Sequence, residues 1–131
     1  MGATEAYVDH VVDIVSSVVP GLRVSVRPAL EIDDVSVIEF EHPEMSSMEL
    51  VVATDAAFVK VLIGRYVFDA VPLDDLAGFA ERFCSGQVAL RKGRVLGGYR
   101  LRVTTPARVY EAVGPRGALP LEDWEARALD Q

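Results

Sequence analysis

At 131 residues the chain has the usual size of one domain, enough to bury roughly two thirds of its unfolded surface without staples. Half of its residues are hydrophobic and valine is abundant, a composition that favours strands and excludes disorder. The net charge of −7 excludes a uniformly basic nucleic-acid or anionic-membrane binder.

That charge is unevenly spread. Residues 1–55 carry a net −9, residues 56–90 a net −1, residues 91–117 a net +6 and residues 118–131 a net −3. The single cysteine, Cys84, excludes an intramolecular disulfide and a cysteine-only zinc site. No export or lipid signal is read at the N-terminus, so a cytoplasmic setting is expected. The richest apolar run, 56–63, contains Lys60 and falls far short of the ~20 residues of a membrane span.

In chain order, residues 4–19 place Val8, Val11, Val12, Val15, Val18 and Val19 at spacings of three and four. This predicts an amphipathic helix, capped by Thr4 and stopped at Pro20-Gly21. Leu22, Val24 and Val26 then alternate with Arg23, Ser25 and Arg27, which predicts a strand with the apolar set in the core. Strands follow over 35–42, with Ile38 and Phe40 inward, and over 48–54, with Met48, Leu50 and Val52 inward. A fourth, over 58–68 with a possible break at Gly64, has Phe58 and Leu62 on one face and Val59, Val61 and Ile63 on the other. A strand apolar on both faces is expected to be central and covered.

Residues 73–84 predict a second helix, with Pro72 at its start, Ser85-Gly86 at its end, and Leu76, Phe83 and Cys84 on its apolar face. Lys92-Gly93 suits a two-residue hairpin turn, which puts Val88, Leu90, Val95, Tyr99, Leu101 and Val103 inward. Arg91, Arg94, Arg100 and Arg102 then point outward, with Arg91 opposite Arg94. Residues 107–113 form a further strand or the start of a lid, and 119–129 a short helix with Leu121, Trp124 and Ala128 on its apolar side.

The expected fold is one α+β domain over residues 1–131, with one mainly antiparallel sheet of about six strands packed against helices. The order is α-ββββ-α-ββ(β)-α. In element order alone the chain resembles small acidic secretion chaperones and small immunity proteins, a likeness carried by no motif.

Chemistry is sparsely signalled. Glu39, Glu41, His42 and Glu44 form the densest polar cluster, but strand geometry separates His42 from Glu39 and Glu41, so they do not converge on a metal. His10 lies on the polar face of the first helix. Cys84 falls in an apolar stripe near a helix C-terminus, where the dipole raises a thiol pKa. Neither a serine elbow nor a glycine-rich nucleotide loop is present, so no cofactor and no metal is expected.

Two surfaces remain unexplained. The strip Arg91, Arg94, Arg100 and Arg102 is expected either to meet an acidic partner or to pair with Glu39, Glu41 or Glu49 on neighbouring strands. An apolar reverse face including Val37, Val51, Val59 and Val61 requires cover by a helix or a second copy. The expected function is thus a small cytoplasmic, non-enzymatic protein-interaction module, adaptor-, immunity- or chaperone-like, that binds a protein partner, itself as a homodimer, or both. The alternative is a ligand-binding protein or enzyme with a pocket between sheet and helices, lined by Arg65, Tyr66, Asp69 and Tyr99. Nucleic acid is disfavoured, because the basic segment offers only Tyr99 and Tyr110 for stacking.

Overall fold

Gly64 decides the number of strands. It holds φ at +56°, a left-handed conformation that glycine adopts without steric cost, and Ile63 pairs with Tyr66 directly around it. The expected strand over 58–68 therefore turns back on itself as a hairpin. The computed structural model describes residues 2–93, 98–114 and 120–129. Its elements are α1 (Glu5–Ser16), β1 (Arg23–Pro28), β2 (Val35–Glu41), β3 (Met48–Ala53), β4 (Phe58–Ile63), β5 (Tyr66–Pro72), α2 (Leu73–Cys84), β6 (Val88–Lys92), β7 (Tyr99–Thr104), β8 (Val109–Val113) and α3 (Asp123–Leu129).

The strands form two antiparallel meanders, β1-β2-β3-β4-β5 and β6-β7-β8, rather than one sheet of about six strands. Residues 107–113 supply the strand β8 and not a lid. A register shift between Val59 and Val61 bends the β4–β5 pair, and Pro72 then leads into α2, whose first amide, that of Leu73, donates to the Ala57 carbonyl at 2.9 Å. The sheets meet where β5 lies against β8, with α2 packed on both. Phe79 of α2 makes edge-to-face contacts with Phe68 of β5 at 5.1 Å and with Tyr110 of β8 at 5.3 Å, so one ring joins the two sheets.

The core lies between the inner face of the larger sheet and the helices. Val8, Val11 and Val15 of α1 and Leu76, Phe79, Ala80 and Phe83 of α2 are buried against Ile38, Phe40, Leu50 and Val52. Leu50 pairs with Val61 and Met48 with Ile63, so Val59, Val61 and Ile63 belong to this inner face and are buried. The sequence expectation had them on the reverse face. In a strand apolar at both phases, alternation gives no sign of which side is in, and only pairing with β3 decides it. Phe58, Lys60 and Leu62 take the outer face instead, and Phe58 is 54% exposed.

Two further expectations are corrected. Val24 and Val26 face the inner side but are 39% and 49% exposed, because β1 is the sheet edge, one strand beyond β2, on which α1 packs. In the smaller sheet, Arg91 pairs with Arg100 and Lys92 with Tyr99, so no two-residue turn forms at Lys92-Gly93. Such a turn needs left-handed backbone at both central residues, which lysine resists. The connection instead runs from Gly93 to Gly98, closed by the Gly93 amide donating to the Gly98 carbonyl at 2.6 Å. Because the shift in register preserves side-chain parity, Leu101 and Val103 still point in and Arg100 and Arg102 out. Arg94 and Val95 lie outside the described residues.

Candidate functional site

The arginine-bearing face of the smaller sheet is built by strand alternation. Arg91 on β6 stands directly opposite Arg100 on β7, and Arg102 stands between Ala89 and Glu111 of β8. Glu111 accepts from Arg102 Nε at 3.1 Å and Nη2 at 2.7 Å, and its other oxygen lies 3.5 Å from Arg100 Nε. One acid thus serves two arginines, while Arg91 and Lys92 have no acidic partner among the described residues. With Gly93 these four cations line a cleft of about 320 Å³. None of Glu39, Glu41 and Glu49 reaches this strip, and Glu49 instead pairs with Arg27 of its own sheet at 3.8 Å.

The outer face of the larger sheet is the second surface. Val37 and Val51 are cross-strand neighbours there and partly exposed. Leu62 and Val67 pair beside them, with Phe58 toward one end. Val59 and Val61, expected in this patch, are core residues and leave it. All three helices direct their buried side chains into the core on the opposite side, α3 through Trp124 against Tyr66 and Phe83.

Two buried carboxylates escaped the sequence reading. Glu125 of α3 is 2% exposed, and accepts from Tyr66 Oη at 2.7 Å, from Arg65 Nη2 at 3.1 Å and from the Glu122 amide at 3.1 Å. The last bond is the backward half of a capping box, in which the third helical residue reaches the cap amide. Asp75 in the first turn of α2 accepts from the hydroxyls of Thr105 at 2.7 Å and Tyr110 at 2.6 Å. Burial first, and then these carboxylate bonds, push the Tyr66 and Tyr110 phenols well above their ordinary value. A signal for Glu125 existed: it sits four residues after Leu121 on the apolar side of α3, where an acid must be paired.

The four expected pocket residues do not converge. Arg65 and Tyr66 close on Glu125, Asp69 is exposed on β5, and Tyr99 accepts the Gly114 amide through its carbonyl at 2.8 Å. The cleft beside this cluster, about 310 Å³, is lined by Arg65, Pro120, Glu122, Trp124 and Glu125 among others. His42 takes the Glu44 amide on Nδ1 at 3.1 Å, which holds its ring within a local turn. Burial pushes the Cys84 thiol up to about 11, which leaves little thiolate for chemistry at neutral pH. Among the described residues, no group of three or more His, Cys, Asp or Glu side chains could hold a metal, and no helix is long and apolar enough to cross a membrane. No protein-family model, no curated protein and no solved structure matches this chain, so the reading of its function rests on its own surfaces.

Proposed function

We propose that this protein is a protein-interaction module that takes an acidic segment of a partner protein on the arginine-bearing face of its smaller sheet. The observation that supports this reading is the Arg91–Arg100 pair, two arginines directly opposite each other on a face where Glu111 is the one acid among the described residues. Like charges so placed oppose folding by up to ~1 kcal/mol. A carboxylate lying between them removes that repulsion and forms charge-assisted hydrogen bonds. The buried acids offer a catalytic reading no comparable support, because the bonds to Glu125 and Asp75 come from the protein itself. A cytoplasmic setting, where Cys84 stays reduced, belongs to the same proposal.

Fluorescence anisotropy with a labelled peptide rich in Glu and Asp tests it. Wild-type protein should bind in low salt and release the peptide as salt rises. Arg91→Glu should weaken binding by roughly tenfold or more, a difference of about 1.4 kcal/mol. Its melting temperature should stay near wild type, since exposed charges contribute little to folding. Absence of binding at low salt, or equal binding by the variant, would sink the proposal.

A further inference from the structure

We infer that the segment taken by the arginine-bearing face is a phosphorylated one, and that a phosphoryl group on the partner protein occupies the cleft at Arg91 and Arg100. This rests on the proposed function and deepens it, by naming the group the site prefers: a phosphate over a carboxylate.

The backbone gathers the bases. The Gly93 amide donates to the Gly98 carbonyl at the end of the β6–β7 ladder, and alternation from that bond makes Arg91 and Arg100 a hydrogen-bonded pair, with Cα atoms about 5.5 Å apart. Both side chains line one cleft of about 320 Å³, together with Lys92, Gly93 and Arg102.

Glu111 shows what a carboxylate does on this face. One of its oxygens accepts from Nε and Nη2 of Arg102, and the other lies 3.5 Å from Nε of Arg100. Both oxygens are thus engaged on β7, and Arg91 and Lys92 on β6 are left without an acid among the described residues. Four bases against one acid leave the face at +3. A second carboxylate could bridge Arg91 and Arg100 as Glu111 bridges Arg100 and Arg102, but it leaves about +2. A phosphorylated side chain carries about −1.5 to −2, with three acceptor oxygens, so one group can accept from the planar forks of both arginines and still reach Lys92.

The rest of the chain favours a concentrated charge over a run of acids. Residues 91–117 carry +6 in a chain of −7, so the remainder carries −13. A stretch of Glu and Asp long enough to match the strip extends its outer charges toward that acidic remainder, within a screening length of ~8–10 Å. A phosphoryl group puts the same charge at one point, inside the basic cleft.

Fluorescence anisotropy on the full chain tests this with labelled peptides of one sequence, carrying phosphoserine, serine, glutamate or an Asp-Asp pair at the centre. The phosphoserine peptide should bind roughly tenfold or more tighter than the glutamate peptide, with the Asp-Asp peptide between them. In Arg91→Lys with Arg100→Lys, which keeps the charge and removes the forks, the ratio of phosphoserine to glutamate affinity should fall toward one. A circular-dichroism melt confirms that this variant folds, and if it does not, the peptide series on wild type still decides. Equal affinity for phosphoserine and glutamate overturns the inference and leaves the acidic-segment reading standing. Binding of no peptide overturns both. An Asp-Asp peptide as tight as phosphoserine overturns the inference by showing that the face responds to charge alone. Inorganic phosphate or a short single-stranded DNA that displaces the phosphopeptide as well as the unlabelled phosphopeptide does overturns it in favour of the free ion or nucleic acid.

Discussion

The Tyr66 hydroxyl donates to the Glu125 carboxylate at 2.7 Å across 59 positions of chain, on the same oxygen that Arg65 holds at 3.1 Å. The β4–β5 turn and the last helix are thus joined by one buried polar node. Trp124 lies edge-on to Tyr66 at 6.0 Å and to Phe83 at 5.5 Å, so the node also orients the apolar anchor of α3. Gly114, at the end of β8, comes close to it, and a Cβ there would stand 3.0 Å from the Tyr66 ring.

Glu125→Ala should lower stability by about 3–5 kcal/mol, because it leaves the partly buried Arg65 without its counter-charge. Arg65→Met with Glu125→Leu removes both charges and should stay within about 1–2 kcal/mol of wild type. Urea unfolding followed by Trp124 fluorescence checks both. Equal losses in the single and double variants would show that the node acts through shape and not charge.

The phenols of Tyr66 and Tyr110 set the alkaline limit. Both ionise above their ordinary value, first because they are buried and then because each donates to a carboxylate, Glu125 and Asp75 respectively. A group whose folded pKa exceeds its unfolded one gives stability that is whole below the unfolded value, about 10 for tyrosine, and lost as pH rises through the folded value. Stability should accordingly fall above pH ~10 by up to about 1.4 kcal/mol per pH unit for each phenol. Tyr66→Phe with Tyr110→Phe should flatten that slope in melts over the alkaline range. An unchanged slope would remove these phenols as its cause.

Cys84 should resist alkylation in the folded protein. With its thiol held at about 11 by burial, the thiolate fraction at neutral pH falls roughly a hundred-fold below that of a free cysteine. Iodoacetamide labelling followed by mass spectrometry should be slow in buffer and rapid in urea. Equal rates would mean that the thiol is accessible in the native state.

Phe83 and Leu62 separate the two faces energetically. Phe83 is fully buried, so Phe83→Ala should cost about 3–5 kcal/mol. Leu62 lies half-buried on the outer face, and Leu62→Ala should cost about 1 kcal/mol or less in dilute protein. Similar urea midpoints for the two variants would overturn the assignment of Leu62 to the outer face.

Much of the fold was legible because local patterns were strong. The valines of α1 at helical spacing, the bounded apolar stripe of α2 and the alternation in β2 and β3 each specify an element by periodicity. The outward direction of Arg100 and Arg102 was legible too, since parity survives an even change of register. Which face of β4 is buried was not legible, because Val59, Val61 and Ile63 and the opposite set Phe58 and Leu62 are both apolar.

By itself, then, the sequence determined the three helices, the strands β1 to β3, the antiparallel character and the outward direction of Arg100 and Arg102, all of which follow from residues close together in the chain. Only the tertiary structure decided that the strands divide into two sheets, that Arg91 meets Arg100, that Val61 packs against Leu50's strand, and that Glu125 closes on Tyr66 and Arg65. These relations join residues distant in sequence. The free energy that selects them comes from burying one face and pairing every buried charge, and no local spacing encodes it.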